Sequence, residues 1–111
     1  MSYKEVDSII DCITSNSSFL VLSHVNPDGD SLCSVLLMKK TLDYCNKKSV
    51  SVISDGIPEK FDFLGLEDAT AREMPDGFNP EVVIVVDSSE LSRTGDVSES
   101  IPRHASIINI D

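Results

Sequence analysis

With 111 residues, 41% of them apolar and 25% charged, the chain has the size and balance of one folded domain and not of a disordered segment. No run of about 18 apolar residues could span a bilayer, and the start MSYKEVDSII lacks a basic stretch followed by an apolar one, so a cytoplasmic protein with no membrane partner is expected. The formal charge of −10 repels phosphate backbones at long range and speaks against a broad nucleic-acid-coating surface. Residues 3 to 14 carry Val6, Ile9, Ile10 and Ile13 at three- and four-residue spacing, the pattern of an amphipathic helix. Phe19 to Leu22 form a short continuous apolar run, suited to a strand covered on both faces and hence to a parallel sheet.

After a loop from His24 to Gly29, Leu32, Val35, Leu36, Leu42 and Cys45 are distributed for a second helix over 31 to 46. Ser49 to Ser54 alternate hydroxyl and apolar residues, as in a strand nearer a sheet edge with one face less buried. Residues 55 to 80 hold three prolines and three glycines, which leaves room only for a short helix around Glu59 to Leu64. The β-branched run Glu81 to Val86 predicts a central strand ending at Asp87, and Ala105 to Ile110 a fourth strand ending at Asp111, with one helical turn between them inside 91 to 100. Strands alternating with helices give an α/β fold, a mainly parallel sheet with flanking helices.

Cys12, Cys33 and Cys45 are odd in number, have no CxxC spacing and fall in apolar or helical-looking stretches, so they read as buried packing thiols in a reducing compartment.

Ligands of such sheets bind beyond the carboxyl ends of the strands. His24, Asp28, Asp30, Asp87 and Asp111 all lie at or just after three predicted strand ends and should converge on one edge. Pro27 stiffens the turn that carries the first three, and Gly29 is the residue expected to let it bend. One imidazole with several carboxylates suits manganese, magnesium or iron better than a structural zinc. Without a cation, packing those carboxylates together would set like charges against each other. Taken singly, DGD is also a common turn and helix cap, and a lone histidine is more often structural; the joint placement is what favours a site.

The segment HVNPDGDSLCS resembles the first motif of the DHH family of phosphoesterases, VVDSSELSRTG with Asp87, Arg93 and Gly95 resembles the second, and INID resembles the start of the third, with Asp111 as the first residue of Asp-His-His. The resemblance implies a DHH-type fold, with residues 1–111 as its N-terminal part. It also implies two manganese ions, for which magnesium could substitute. His24 and Asp28 would hold one ion and Asp30 the other, Asp87 would bridge them, and Asp30, Asp87 and Asp111 would be the catalytic carboxylates. Such a pair of ions would activate water for in-line attack on phosphorus. Ser23, Ser31, Ser88 and Ser89 then read as helix caps or as hydroxyls that orient the ligands, not as nucleophiles. Arg93 reads either as a substrate phosphate clamp or as a structural partner of an aspartate, and His104 as a surface residue. Cys33 stands where relatives commonly have glycine.

The family's histidines after the third aspartate and its substrate-gripping DHHA1-type domain lie beyond Asp111, so this chain alone is expected to hold one manganese well and to turn over poorly. The function implied for the parent protein is a manganese-dependent hydrolysis of short oligonucleotides or nucleotide 3′,5′-bisphosphates. Manganese inorganic pyrophosphatases usually carry threonine at the position of Gly29, which makes that activity the alternative. A non-catalytic metal-binding or interaction domain is the reading from another class, and whether the chain forms a homodimer stays open.

Overall fold

The computed structural model describes residues 2–66, 69–87 and 94–110. Helix α1 (Tyr3–Ser15) is capped by Ser2, whose hydroxyl accepts from the Glu5 N–H at 3.2 Å. It leads into β1 (Ser18–Leu22), α2 (Gly29–Tyr44) and β2 (Lys48–Val52). A 3-10 turn (Glu59–Leu64) and the two-residue β3 (Thr70–Ala71) follow, then β4 (Val82–Val86), a second 3-10 turn (Asp96–Ser100) and β5 (Ser106–Ile110).

The strands form a sheet in the order β3-β2-β1-β4-β5, and every described pairing is parallel. Because parallel neighbours run the same way, the ends of β1, β4 and β5 share one edge of the sheet, as their sequence positions predict. The apolar runs sit where burial on both faces is possible. All five residues of β4 are buried, as are Phe19 to Leu22 of β1, the strand between β2 and β4.

Alternate side chains divide the core in two. Phe19, Val21, Val82, Ile84 and Val86 pack with Val35 and Leu42 of α2, and Cys12 and Ile13 bring α1 to the same face. Leu20, Leu22, Val52, Val83 and Val85 face the other way, against Val97, Met74, Phe78 and Ile101. A smaller cluster of Leu32, Ile53 and Leu66 ties the start of α2 to the first 3-10 turn. At the amino end of the sheet, Glu81 accepts from the N–H groups of Ser17 at 2.8 Å and Ser18 at 3.2 Å, stapling the start of β4 to the start of β1.

Several local expectations are corrected. The serines of β2 share the face covered by α2: Ser51 is buried, and the Ser49 and Ser51 hydroxyl oxygens find no partner among the described residues. The hydroxyl face is therefore not the open one. Beyond β2 lies β3, two residues emerging from the proline- and glycine-rich connection. Cys33 and Cys45 are exposed and Cys12 is half-buried, so only Cys12 contributes to packing. The exposed Cys33 side chain also leaves the close packing at the start of α2 undisturbed.

Candidate metal centre

Asp28 is the N-cap of α2, its Oδ1 accepting from the Ser31 N–H at 2.9 Å. Gly29 is the first helical residue and has no left-handed backbone. A Cβ there would stand 3.6 Å from the Phe61 ring, an ordinary contact, so neither backbone nor space requires glycine at this position. The left-handed residue of the turn is Asn26, at φ 56°, with its N–H donating to Asp55 Oδ2 at 3.2 Å. A second left-handed residue is Asp87 itself, at φ 52°, where β4 ends and the Asp87 N–H donates to the Ile110 carbonyl at 3.0 Å. Non-glycine residues seldom adopt this region, aspartate and asparagine most readily, and such positions gather at functional sites.

These turns bring His24, Asp28 and Asp87 together, with one nitrogen or carboxylate oxygen from each lying within 4.8 Å of the others. At their centre stands Ser31, fully buried. Its Oγ is 2.7 Å from His24 Nε2, 2.9 Å from Asp28 Oδ1 and 2.8 Å from Asp87 Oδ2. His24 Nδ1 is 2.7 Å from the Val25 carbonyl, which only accepts, so Nδ1 carries a proton and Nε2 is the ring nitrogen turned toward Ser31.

The proton count decides what the cluster can hold. A serine hydroxyl has one proton, yet three lone-pair atoms approach it at hydrogen-bond distance. Even with His24 doubly protonated, one carboxylate oxygen would face the hydroxyl with nothing to receive. The cluster is short of positive charge, which a divalent cation held by one imidazole nitrogen and two carboxylates would supply. Fixing the imidazole through Nδ1–H to a carbonyl is also how ligating histidines are oriented.

The Ser31 N–H, and after it the Ser31 hydroxyl, hold the Asp28 carboxyl below its ordinary value of 3.8, with a smaller contribution from His24; desolvation opposes them. A depressed folded-state value means that this carboxylate stabilises the fold above its unfolded value, and that the contribution is lost as pH falls through the folded one. NMR titration of the Asp28 carboxyl carbon is therefore expected to give a midpoint below 3.8, moving upward in Ser31→Ala; a midpoint unchanged by that substitution contradicts the assignment.

Asp30 lies exposed in the first turn of α2, outside the three-residue group. Arg93 and Asp111, together with Ser88 and Ser89, lie outside the described residues. Ser23 is buried and its hydroxyl donates to the His24 carbonyl at 3.4 Å; His104 is exposed. Ser31, expected to be a helix cap or a hydroxyl that orients the ligands, touches all three residues of the group. Its seven-residue distance from His24 gave no hint of that, because the fold of the turn brings them together. Gly95 went unread as a scaffold: at φ 91°, a Cβ there would meet the Ser54 hydroxyl at 2.9 Å and Val25 at 3.1 Å.

The model of the DHH family, N-terminal domain, matches residues 18–111. The chain belongs to the DHH family. This DHH chain superimposes over 99% of its length on an exopolyphosphatase-related protein from Bacteroides fragilis, with a TM-score of 0.85 and 19% sequence identity. It spans 35% of that protein's length. No curated protein matches the sequence. The likeness establishes the α/β fold read from the sequence, down to the parallel sheet. Phosphoesterases of the DHH family are metal-dependent, and His24, Asp28 and Asp87 form a group able to hold an ion. Among the described residues no helix is long and apolar enough to cross a membrane.

Proposed function

We propose that this DHH domain carries the first half of a manganese-dependent phosphoesterase centre, acting on short oligonucleotides or nucleotide 3′,5′-bisphosphates. The observation that supports it is the crowding of three lone-pair atoms around the single proton of Ser31. His24 Nε2, Asp28 Oδ1 and Asp87 Oδ2 would hold one ion, and Asp30 would serve a second. When bound, such ions lower the pKa of a water and stabilise charge gathering on phosphoryl oxygens.

The chain's own residues do the rest. Ser31 keeps the three ligand atoms at fixed spacing, and the Val25 carbonyl keeps the His24 tautomer. The buried ends of β1 and β4 give the centre a rigid floor, which a two-metal site requires. Hydrolysis of polyphosphate is a second reading, favoured by the structural likeness to a protein described as exopolyphosphatase-related.

The test is an assay of the protein, in the longest form its gene encodes, with manganese, on a dinucleotide, a 3′,5′-bisphosphate and tripolyphosphate. Release of mononucleotide or phosphate, stopped by EDTA and restored by manganese, is expected. Metal-independent turnover, or none on any of the three, overturns the reading.

A further inference from the structure

Arg72 directly follows β3 at the carboxyl edge of the sheet, the edge that also carries His24 and Asp87. In a chain of net charge −10, its guanidinium has no hydrogen-bond or ion-pair partner among the described residues, whose ion pairs join His24 to Asp87 and Lys39 to Asp43. The guanidinium of this exposed residue lies across Gly56, where a Cβ would meet Nη2, Cζ and Nε of Arg72 at 2.6, 2.8 and 2.9 Å, so glycine at 56 is what lets it rest over the turn. The preceding residue, Asp55, takes the N–H of Asn26 from the metal turn, which ties the platform under Arg72 to the segment between His24 and Asp28.

The pairing register sets the separation. Ala71 lies opposite Val52, and Val52 opposite Leu22, so Arg72 stands level with Ser23, about 10 Å away across two inter-strand spacings. Arg72 lines two hollows. The larger, about 290 Å³, also holds Glu73 and Asp96, whose charges repel anions. The other, about 200 Å³, is lined by Ile53, Gly56, Ile57, Thr70 and Ala71, and among the described residues Arg72 is the one charged residue there.

The geometry points to Arg72 and this second hollow as a binding site for a further phosphate group of the substrate, one or two links along the chain from the phosphorus that is attacked. The assignment rests on the phosphoesterase reading above and makes the site selective for substrates with several phosphates over single phosphate esters. A planar guanidinium offers paired donors to phosphate oxygens, which an ammonium does not.

The experiment compares Arg72→Ala, Arg72→Lys and, as a control of equal charge, Arg103→Ala from the turn before β5 at the opposite edge. Substrates are tripolyphosphate, a 5′-phosphorylated dinucleotide and p-nitrophenyl phosphate, with manganese. Loss of a charge-assisted contact is expected to raise KM for the multiply phosphorylated substrates by about 10-fold or more in Arg72→Ala, with less effect in Arg72→Lys. The values of kcat, the single ester and Arg103→Ala should stay within about 2-fold of the parent values, this being the ordinary effect of a surface change. A rise for tripolyphosphate alone assigns the group to a phosphoanhydride chain, and a rise for the dinucleotide alone to a phosphodiester. An unmoved KM in Arg72→Ala, or an equal rise in Arg103→Ala, overturns the site while leaving the phosphoesterase reading intact. Calorimetric binding of a methylene-bridged triphosphate needs no turnover. Arg72-dependent binding by a protein that hydrolyses nothing would keep the anion site and remove the activity.

Discussion

Replacing Asp87 by asparagine is expected to abolish the stabilisation of the protein by manganese while leaving the metal-free fold intact. The change keeps the shape of the side chain and a residue type that tolerates the left-handed backbone at φ 52°. It removes the charge that accepts from Ser31 at 2.8 Å. With manganese at about 100 times its dissociation constant, the parent protein gains about 2.7 kcal/mol, a rise in melting temperature of roughly 10 °C or more for a domain of this size. Losing a direct ligand should weaken binding beyond the 10- to 100-fold typical of groups that only orient ligands, which erases that rise. Asp87→Ala adds a backbone penalty of about 1 kcal/mol for placing alanine in the left-handed region. The pair of variants therefore separates the chemistry from the fold. A thermal melt with and without manganese reads both, and an asparagine variant that keeps the shift refutes Asp87 as a ligand.

The second large effect lies in the core between the sheet and α2. Phe19 is fully buried in β1, opposite Ser49 on one side and Val82 on the other, and it packs in the cluster that includes Val35, Leu42 and Ile84. Both neighbouring strands are fixed by their ladders, so the space left by Phe19→Ala cannot close readily. A loss of about 3–5 kcal/mol is expected, a large share of the roughly 5–15 kcal/mol that holds a domain together. Phe63, 81% exposed on the first 3-10 turn, provides the contrast, with a change within about 0.5 kcal/mol on truncation to alanine. Urea unfolding checks both through the midpoint, provided the slope is unchanged. A Phe19→Ala loss below about 1 kcal/mol would mean that the face under α2 is loosely packed.

What could be read from the residues was what depends on local pattern. The runs FLVL and VVIVV declare strands covered on both faces, and both are buried in the centre of the sheet. His24, Asp28 and Asp87 were legible as a group because a parallel sheet sends its strand ends to one edge, whichever way the loops run. Features set by tertiary contact were not legible. Thr70 and Ala71 form a strand only because β2 offers them a ladder, and two residues carry no period. Gly29 was the natural choice for the bend, but the left-handed positions fell to Asn26 and Asp87, and Gly29 is an ordinary first residue of α2. Helical spacing could not place Cys33 on the outside of α2, or Cys45 exposed just past its end, since the same period fits either face until the sheet is present. Ser31 could be read as a cap or an orienting hydroxyl, but its contact with Asp87, 56 residues away, exists only once β1 and β4 lie side by side.

The central claim is that His24, Asp28 and Asp87 hold one divalent ion, with His24 giving its Nε2. Pulsed electron paramagnetic resonance of the manganese-loaded protein, prepared with ¹⁵N-labelled histidine, tests it most directly. One imidazole nitrogen coupled to the manganese is predicted, persisting in His104→Ala and lost in His24→Ala. A manganese spectrum without histidine coupling, or one unchanged in His24→Ala, would contradict it.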